Sequence, residues 1–197
     1  MYTKTGDNQD DKELVAKVLL GDNHSFAVII RNTERLVTQI VFRMVPNAED
    51  RKDVAQDIYL KAFKKLGGFR FECRLSTWIA QISYTTCLDH LKKKKLALVL
   101  DKADEDGDST TTILSAELST ENAGWLNRDR GVILQSATEK LPPLYRTLIT
   151  LYHTEELSYE EIIAITSLPE GTVKNYLFRA RKMLKNILLQ QYKKEDL

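Results

Sequence analysis

The sequence predicts an all-α protein of two small helical domains, and three observations carry that reading. Almost every periodic stretch of the 197-residue chain repeats its apolar residues at helical spacing. No run alternates apolar and polar residues for long enough to propose a strand. Glycine, proline and capping residues cut the periodic stretches into helix-sized pieces. The length suits two domains, each burying a modest core. We place them at 1–96 and 128–197, joined by a linker at 97–127.

The elements follow in order. A short first helix is expected over about Asp10 to Leu20, stopped by Gly21. A longer one buries Phe26, Ile29, Ile30, Val37, Ile40, Val41 and Met44, and Pro46 ends it. Asn47 offers an N-cap, with Asp50 at the third helical position, for a third helix that buries Val54, Ile58 and Ala62 and breaks at Gly67-Gly68. After the segment FRFECR, a fourth helix over Ser76 to Lys95 buries Trp78, Ile79 and Ile82. The stretch from Leu96 to Asn127 turns acidic and Ser/Thr-rich, as linkers do, with room for a short helix near Ile113 to Leu118. Helical pattern resumes near Arg130. One helix ends before Pro142-Pro143 and another runs from about Leu144 to Thr154. Ser158 and Glu161 then form a capping box, and Ser167 and Glu170 repeat its spacing for a last helix starting near Leu168. In that helix Val173, Leu177, Ala180, Leu184 and Ile187 share the buried side, while Thr172, Asn175, Arg179 and Lys182 point away.

Composition excludes several classes. The net charge is +1, so no global basic field announces nucleic acid, although charge is segregated locally. Acids gather at Asp101 to Asp108; Lys92 to Lys95 and Lys174 to Lys185 are basic. The two cysteines, Cys73 and Cys87, have no metal-ligand spacing and read as reduced thiols. No apolar run reaches membrane-spanning length, and the polar start lacks a signal-peptide core, so a cytoplasmic location is expected. His24, His90 and His153 are scattered, with no phosphate-binding glycine loop and no nucleophile motif. No enzyme, cofactor, metal or small-molecule substrate is therefore expected.

Three constellations remain. Two capped helices joined by a short turn, the second basic, form a helix-turn-helix whose outer face suits phosphates and base edges in a major groove. The segment from Phe69 to Lys95 interleaves Phe69, Arg70, Phe71, Arg74, Trp78 and Tyr84, then continues as the stripe Gln81, Thr85, Asp89 and Lys92. Stacked aromatics and cations bind single-stranded nucleic acid in this way. Core packing is the plainer reading for Trp78, whereas Phe69 and Phe71 follow a Gly-Gly break where exposure is expected. Lastly, DVAQDIYLKAFKKL sets Asp53, Gln56, Asp57, Leu60 and Lys64 on a polar helix face that is either simply solvated or docks on a partner helix.

The words DVAQDIYLKAFKKL, STWIAQISYTTCLDHLKKKK, LPPLYRTLITLYHTEELSYEEI and LPEGTVKNYLFRARKML, in this order around an acidic linker, resemble the sigma-70 family of RNA polymerase sigma factors, in its extracytoplasmic-function (ECF) type. The resemblance covers most of the chain. It implies a non-catalytic specificity subunit that binds core RNA polymerase, recognises a two-part promoter and promotes strand opening. Asp53, Gln56, Asp57 and Leu60 would dock on the clamp helices of the largest polymerase subunit, and the flap is a further implied contact. Phe69, Arg70, Phe71, Trp78, Gln81, Thr85, Asp89, Lys92 and Lys93 would engage the downstream element, with an extruded base held near Thr85 and Asp89. Thr172, Lys174, Asn175, Arg179, Arg181 and Lys182 would hold the upstream duplex. The linker would thread toward the polymerase active-site channel. An anti-sigma factor and a monomeric free state are also implied. The chain departs from the family at Thr85, where asparagine is common, at Ile163, where a small residue is frequent, at Ser167, where many members carry a turn glycine, and at Tyr176, where a basic residue often sits. The alternatives are an autonomous helix-turn-helix regulator with a sensing or dimerising first domain, and an interaction protein that never touches DNA.

Overall fold

The computed structural model describes residues 7–101 and 130–191, and the regular elements among the described residues are all helical, with no strand. Four helices make the first unit. Helix α1 (Asp7–Leu19) is followed by α2 (Asn23–Met44), capped by Asp22, whose carboxylate accepts from the His24 N–H at 2.9 Å and the Ser25 hydroxyl at 2.6 Å. Helix α3 (Ala48–Lys65) starts at Asn47, which accepts from Glu49 N–H, and runs into a 3₁₀ turn at Leu66–Gly68. Helix α4 (Leu75–Asp101) has a cap no local pattern could reveal, because the Leu75 N–H donates at 2.9 Å to Asp11 of α1. The helix also outruns the expected end at Lys95, so the first five residues assigned to the linker, 97–101, are helical. The expected helix at Ile113 to Leu118 and the rest of the linker lie outside the described residues.

The first unit packs α4 against α2 and α3, burying Ile29, Ile40, Met44, Ile58 and Ile79 almost completely. The Thr33 hydroxyl of α2 donates to Ile29 O at 2.8 Å and lies 3.2 Å from Tyr59 OH, a polar tie between α2 and α3. His90 and Lys94 of α4 meet Asp50 in the first turn of α3 at 3.3 and 2.8 Å, and the Lys94 hydrogen bond is the main cause that lowers the Asp50 carboxyl. Both cysteines are free thiols, and burial pushes Cys87 up to about 12. Such a thiol is unreactive near neutral pH.

The second unit holds α5 (Arg130–Glu139), α6 (Pro143–Ile149), α7 (Tyr159–Thr166) and α8 (Glu170–Gln191). Where a helix to Thr154 is expected, α6 widens into a π turn at Thr150–Thr154, and the Glu155 N–H donates to Thr150 O at 3.0 Å. The two units do not sit apart: α4 packs on α7, α2 packs on α6, and one apolar core runs through both. Among the described residues three ion pairs cross between them, at 3.4 Å from Arg35 to Glu155, 3.9 Å from Arg43 to Glu139 and 3.9 Å from Arg74 to Glu161. In each, the first unit supplies the cation.

Candidate nucleic-acid and partner interfaces

The helix pair at the C-terminal end is built from local rules with one exception. Ser158 Oγ accepts from Glu161 N–H at 3.2 Å while Glu161 Oε2 accepts from Ser158 N–H at 2.9 Å, so the capping box is complete. Ser167 does not cap α8 as its spacing to Glu170 suggests. It ends α7 in the left-handed region at φ 56°, with its N–H on Ile163 O at 2.8 Å. A glycine is at ease in that conformation, which gives a physical reason for a turn glycine at this position. Helix α8 then starts at Glu170, two residues after the expected Leu168, and the Pro169 carbonyl accepts from Thr172 and Val173 N–H at 2.9 and 3.0 Å.

Val173, Leu177 and Ala180 are fully buried, so α8 is held firmly and its other side is offered outward. Lys174, Asn175, Arg179, Arg181 and Lys182 are exposed, and Thr172 is half-buried. Their roles differ. Lys174 Nζ lies 2.6 Å from Glu170 and 5.6 Å from the Tyr159 ring, so part of its charge is already matched. Arg181 Nε donates to His153 Nε2 at 3.1 Å, and its guanidinium lies over Tyr152 at 5.2 Å. That pairing makes Arg181 a brace between α8 and the π turn as much as a candidate for duplex contact. Burial, then Arg181, holds His153 below its usual range, in the neutral form that can accept this bond. Phe178, 65% exposed amid these polar groups, was not among the sequence candidates. Its signal was available, because it follows the buried Leu177 and precedes Arg179, and an apolar group on a major-groove helix can contact a thymine methyl. Tyr176 turns away from that face, with its ring 5.6 Å from Tyr145.

On α3, Asp53, Gln56, Asp57 and Leu60 are all exposed, and Leu60 keeps 59% of its surface. Phe63, one turn on and 45% exposed, extends this face and was also missed. Asp57 is paired with Lys61 at 2.7 Å, and Lys61 donates to Thr86 of α4 at 3.3 Å. A shallow cleft of about 230 Å³ between α3 and α4 joins Asp53 and Asp57 to Asp89 and Lys93. The two stripes read separately from sequence thus share one rim.

On α4, Thr85, Asp89, Lys92 and Lys93 are exposed and Gln81 is half-buried. The Thr85 hydroxyl donates to its own helix, to Gln81 O at 2.9 Å and Ile82 O at 3.0 Å, which leaves its oxygen free only to accept. The aromatic segment departs from expectation. Phe69 is 8% exposed, its ring 4.6 Å from Phe71 and 5.1 Å from Trp78, so it supports the segment from within the core. Phe71 is half-buried with a left-handed φ of 58°, Trp78 is half-buried, and Arg70 is exposed. Tyr84, 4% exposed, faces the second unit, and burial, with a push from Tyr176, raises its phenol to about 12. Among the described residues no cluster could hold a metal ion, and no helix is long and apolar enough to cross a membrane.

Comparison with known proteins matches both units. Residues 29–96 match the family described as sigma-70 region 2, and residues 131–184 the family described as sigma-70 region 4. The chain is 28% identical over 190 residues to the RNA polymerase sigma-H factor of Pseudomonas aeruginosa, covering 91% of this chain and 94% of that protein. It is 32% identical over 183 residues to the ECF RNA polymerase sigma factor SigW of Bacillus subtilis, covering 90% and 96%. The solved structure of CnrH in complex with the cytosolic domain of CnrY shares the fold, with a TM-score of 0.62 at 19% identity over 93% of this chain and 99% of that one.

Proposed function

The chain belongs to the ECF sigma factors of the sigma-70 family, and from that premise we propose how its residues divide the work of transcription initiation. As an alternative sigma factor it binds core RNA polymerase, recognises a two-part promoter and promotes strand opening. It contributes specificity while the polymerase performs the chemistry. The observation that carries the assignment of roles is the outward face of α8, with Asn175, Arg179 and Lys182 exposed on a helix anchored by fully buried Val173, Leu177 and Ala180.

In this reading 1–96 form the polymerase-binding and downstream-promoter domain, 128–197 the upstream-promoter domain, and the acidic segment between them is the linker that threads toward the active-site channel. The exposed stripe of Asp53, Gln56, Asp57 and Leu60 docks on the clamp helices, with Asp57 oriented by Lys61. Asn175, Arg179 and Lys182 read and hold the upstream duplex, Thr172 and Lys174 flank them, and Arg181 positions α8 through His153. Downstream, Thr85, Asp89, Lys92 and Lys93 take the melted strand with Arg70 and Gln81, while Phe69, Phe71 and Trp78 shape the segment behind them. Because the Thr85 hydroxyl hydrogen is spent on its own helix, the captured base meets Thr85 with a donor, an exocyclic amine or a ring N–H of its Watson–Crick edge. The protein works in the cytoplasm, is monomeric when free, and answers to an anti-sigma partner.

The test is promoter binding by the polymerase holoenzyme carrying Arg179→Glu and Lys182→Glu. Loss of upstream-element protection with core binding intact is expected. Undiminished protection overturns the assignment of α8.

A further inference from the structure

Where the two units meet, basic side chains converge with too little to answer them. Arg146 of α6 is 6% exposed, and its Nη1 donates to the carbonyl of Glu139, the last residue of α5, at 3.1 Å. Arg43, in the last turn of α2, brings its Nη1 to 3.9 Å from the carboxylate of the same Glu139, and its side chain is 16% exposed. Two guanidiniums, one from each unit, thus approach one residue. Arg51 stands near enough to oppose the charge on Arg146, while its own Nε and Nη2 are spent on the carbonyls of Val45 and Pro46 at 2.9 and 3.1 Å.

The Nε atoms of both Arg43 and Arg146 are buried with no acceptor among the described residues. Buried donors are nearly always satisfied, and an orphan often marks an ion or water that completes the site. The acceptor at hand is weak. The Glu139 side chain is 54% exposed, sits beyond hydrogen-bond length from Arg43, and also receives the Gln135 amide at 3.4 Å. The C-terminal dipole of α5 supplies only a partial negative charge. A guanidinium binds an oxyanion best through two N–H groups on one edge, and an Nε without an acceptor leaves such an edge unused.

We propose that the junction of α2, α5 and α6 binds a phosphate-type oxyanion that accepts from Arg43 and Arg146 together, turns the Glu139 carboxylate out to solvent, and fastens the two units to each other. The ligand is a free phosphate or small phosphate ester. A duplex backbone cannot follow, because Arg146 lies beneath the surface of two packed units. Phosphate level would then bias the chain toward the packed arrangement and away from one in which the units separate.

The experiment is thermal unfolding of the full chain in inorganic phosphate against chloride, at matched pH and ionic strength. At about a hundred times its dissociation constant, phosphate should raise the midpoint by roughly 5–10 °C beyond chloride. Arg43→Gln, a partly exposed change that the fold tolerates better than one at Arg146, should abolish the difference. Arg31→Gln, an exposed change more than three turns before Arg43 on α2, should leave it intact. Glu139→Gln removes the competing carboxylate and should lower the phosphate dissociation constant several-fold. Equal midpoints in phosphate and chloride overturn the proposal, as does a phosphate gain that survives Arg43→Gln. A short DNA duplex reproducing an Arg43-dependent gain overturns the small-ligand assignment.

Discussion

Replacing Ser167 by glycine should make this protein more stable, although it deletes a side chain from the turn that sets α8. Ser167 holds φ at 56°, a conformation that costs an L residue about 1–2 kcal/mol and glycine almost nothing. Glycine gives back about 0.5–1 kcal/mol through the greater backbone freedom it loses on folding. At mid-range the net gain is about 0.7 kcal/mol. Nothing else is lost, because Ser167 is exposed and its one hydrogen bond within the turn, N–H to Ile163 O, belongs to the backbone. For a chain of this size the midpoint should rise by roughly 1–4 °C, with a matching rise in the denaturant midpoint and no change in its slope. Ser167→Ala keeps the strained φ and should stay within about 0.5 kcal/mol of the parent. A Ser167→Gly protein no more stable than the parent would refute the left-handed assignment and the turn geometry built on it.

Other outcomes follow from the same structure. Asp11→Ala removes the distant cap of α4 and should cost about 1 kcal/mol, with Asp11→Asn recovering most of it; both are read by urea unfolding. His153 is held below its usual range in the fold, so the unfolded chain takes up the proton more readily. Its contribution is therefore full above about pH 6.5 and declines as pH falls toward the folded value. His153→Gln should remove that part of the pH profile, measured as unfolding midpoints from pH 8 to 5. Glu155→Arg sets two cations together at the Arg35 contact and should loosen the packing between units, seen as a larger radius of gyration in solution scattering. Arg179→Glu should weaken upstream-duplex binding by the holoenzyme and flatten its dependence on log salt by about one unit or more.

Much of this was legible in the sequence, wherever the signal was local. Asn47, the Ser158 to Glu161 box, the Gly67-Gly68 break and the apolar side of α8 all act within a few residues, and each stands where expected. The misses share one cause, which is that a residue type permits two roles and distant contacts choose between them. Serine caps helices and also tolerates a C-terminal turn; the spacing of Ser167 to Glu170 points to the former, and the fold uses the latter. Phe69, after two glycines, looked exposed until Phe71 and Trp78 enclosed it. The cap on α4 comes from Asp11, far back in the chain. The acidic composition after Lys95 suggested a linker although the helix continues to Asp101. Nor could any local pattern reveal that Arg43 and Arg146 meet at Glu139, because their approach depends on how two separately patterned units pack.

The most direct test of the central claim is run-off transcription by purified bacterial core RNA polymerase over a genomic fragment library from the same source, with and without this protein. Discrete start sites that require the protein and vanish with Asp57→Ala or Arg179→Glu are the predicted result. Transcripts from an active matching polymerase that do not depend on the protein would contradict it.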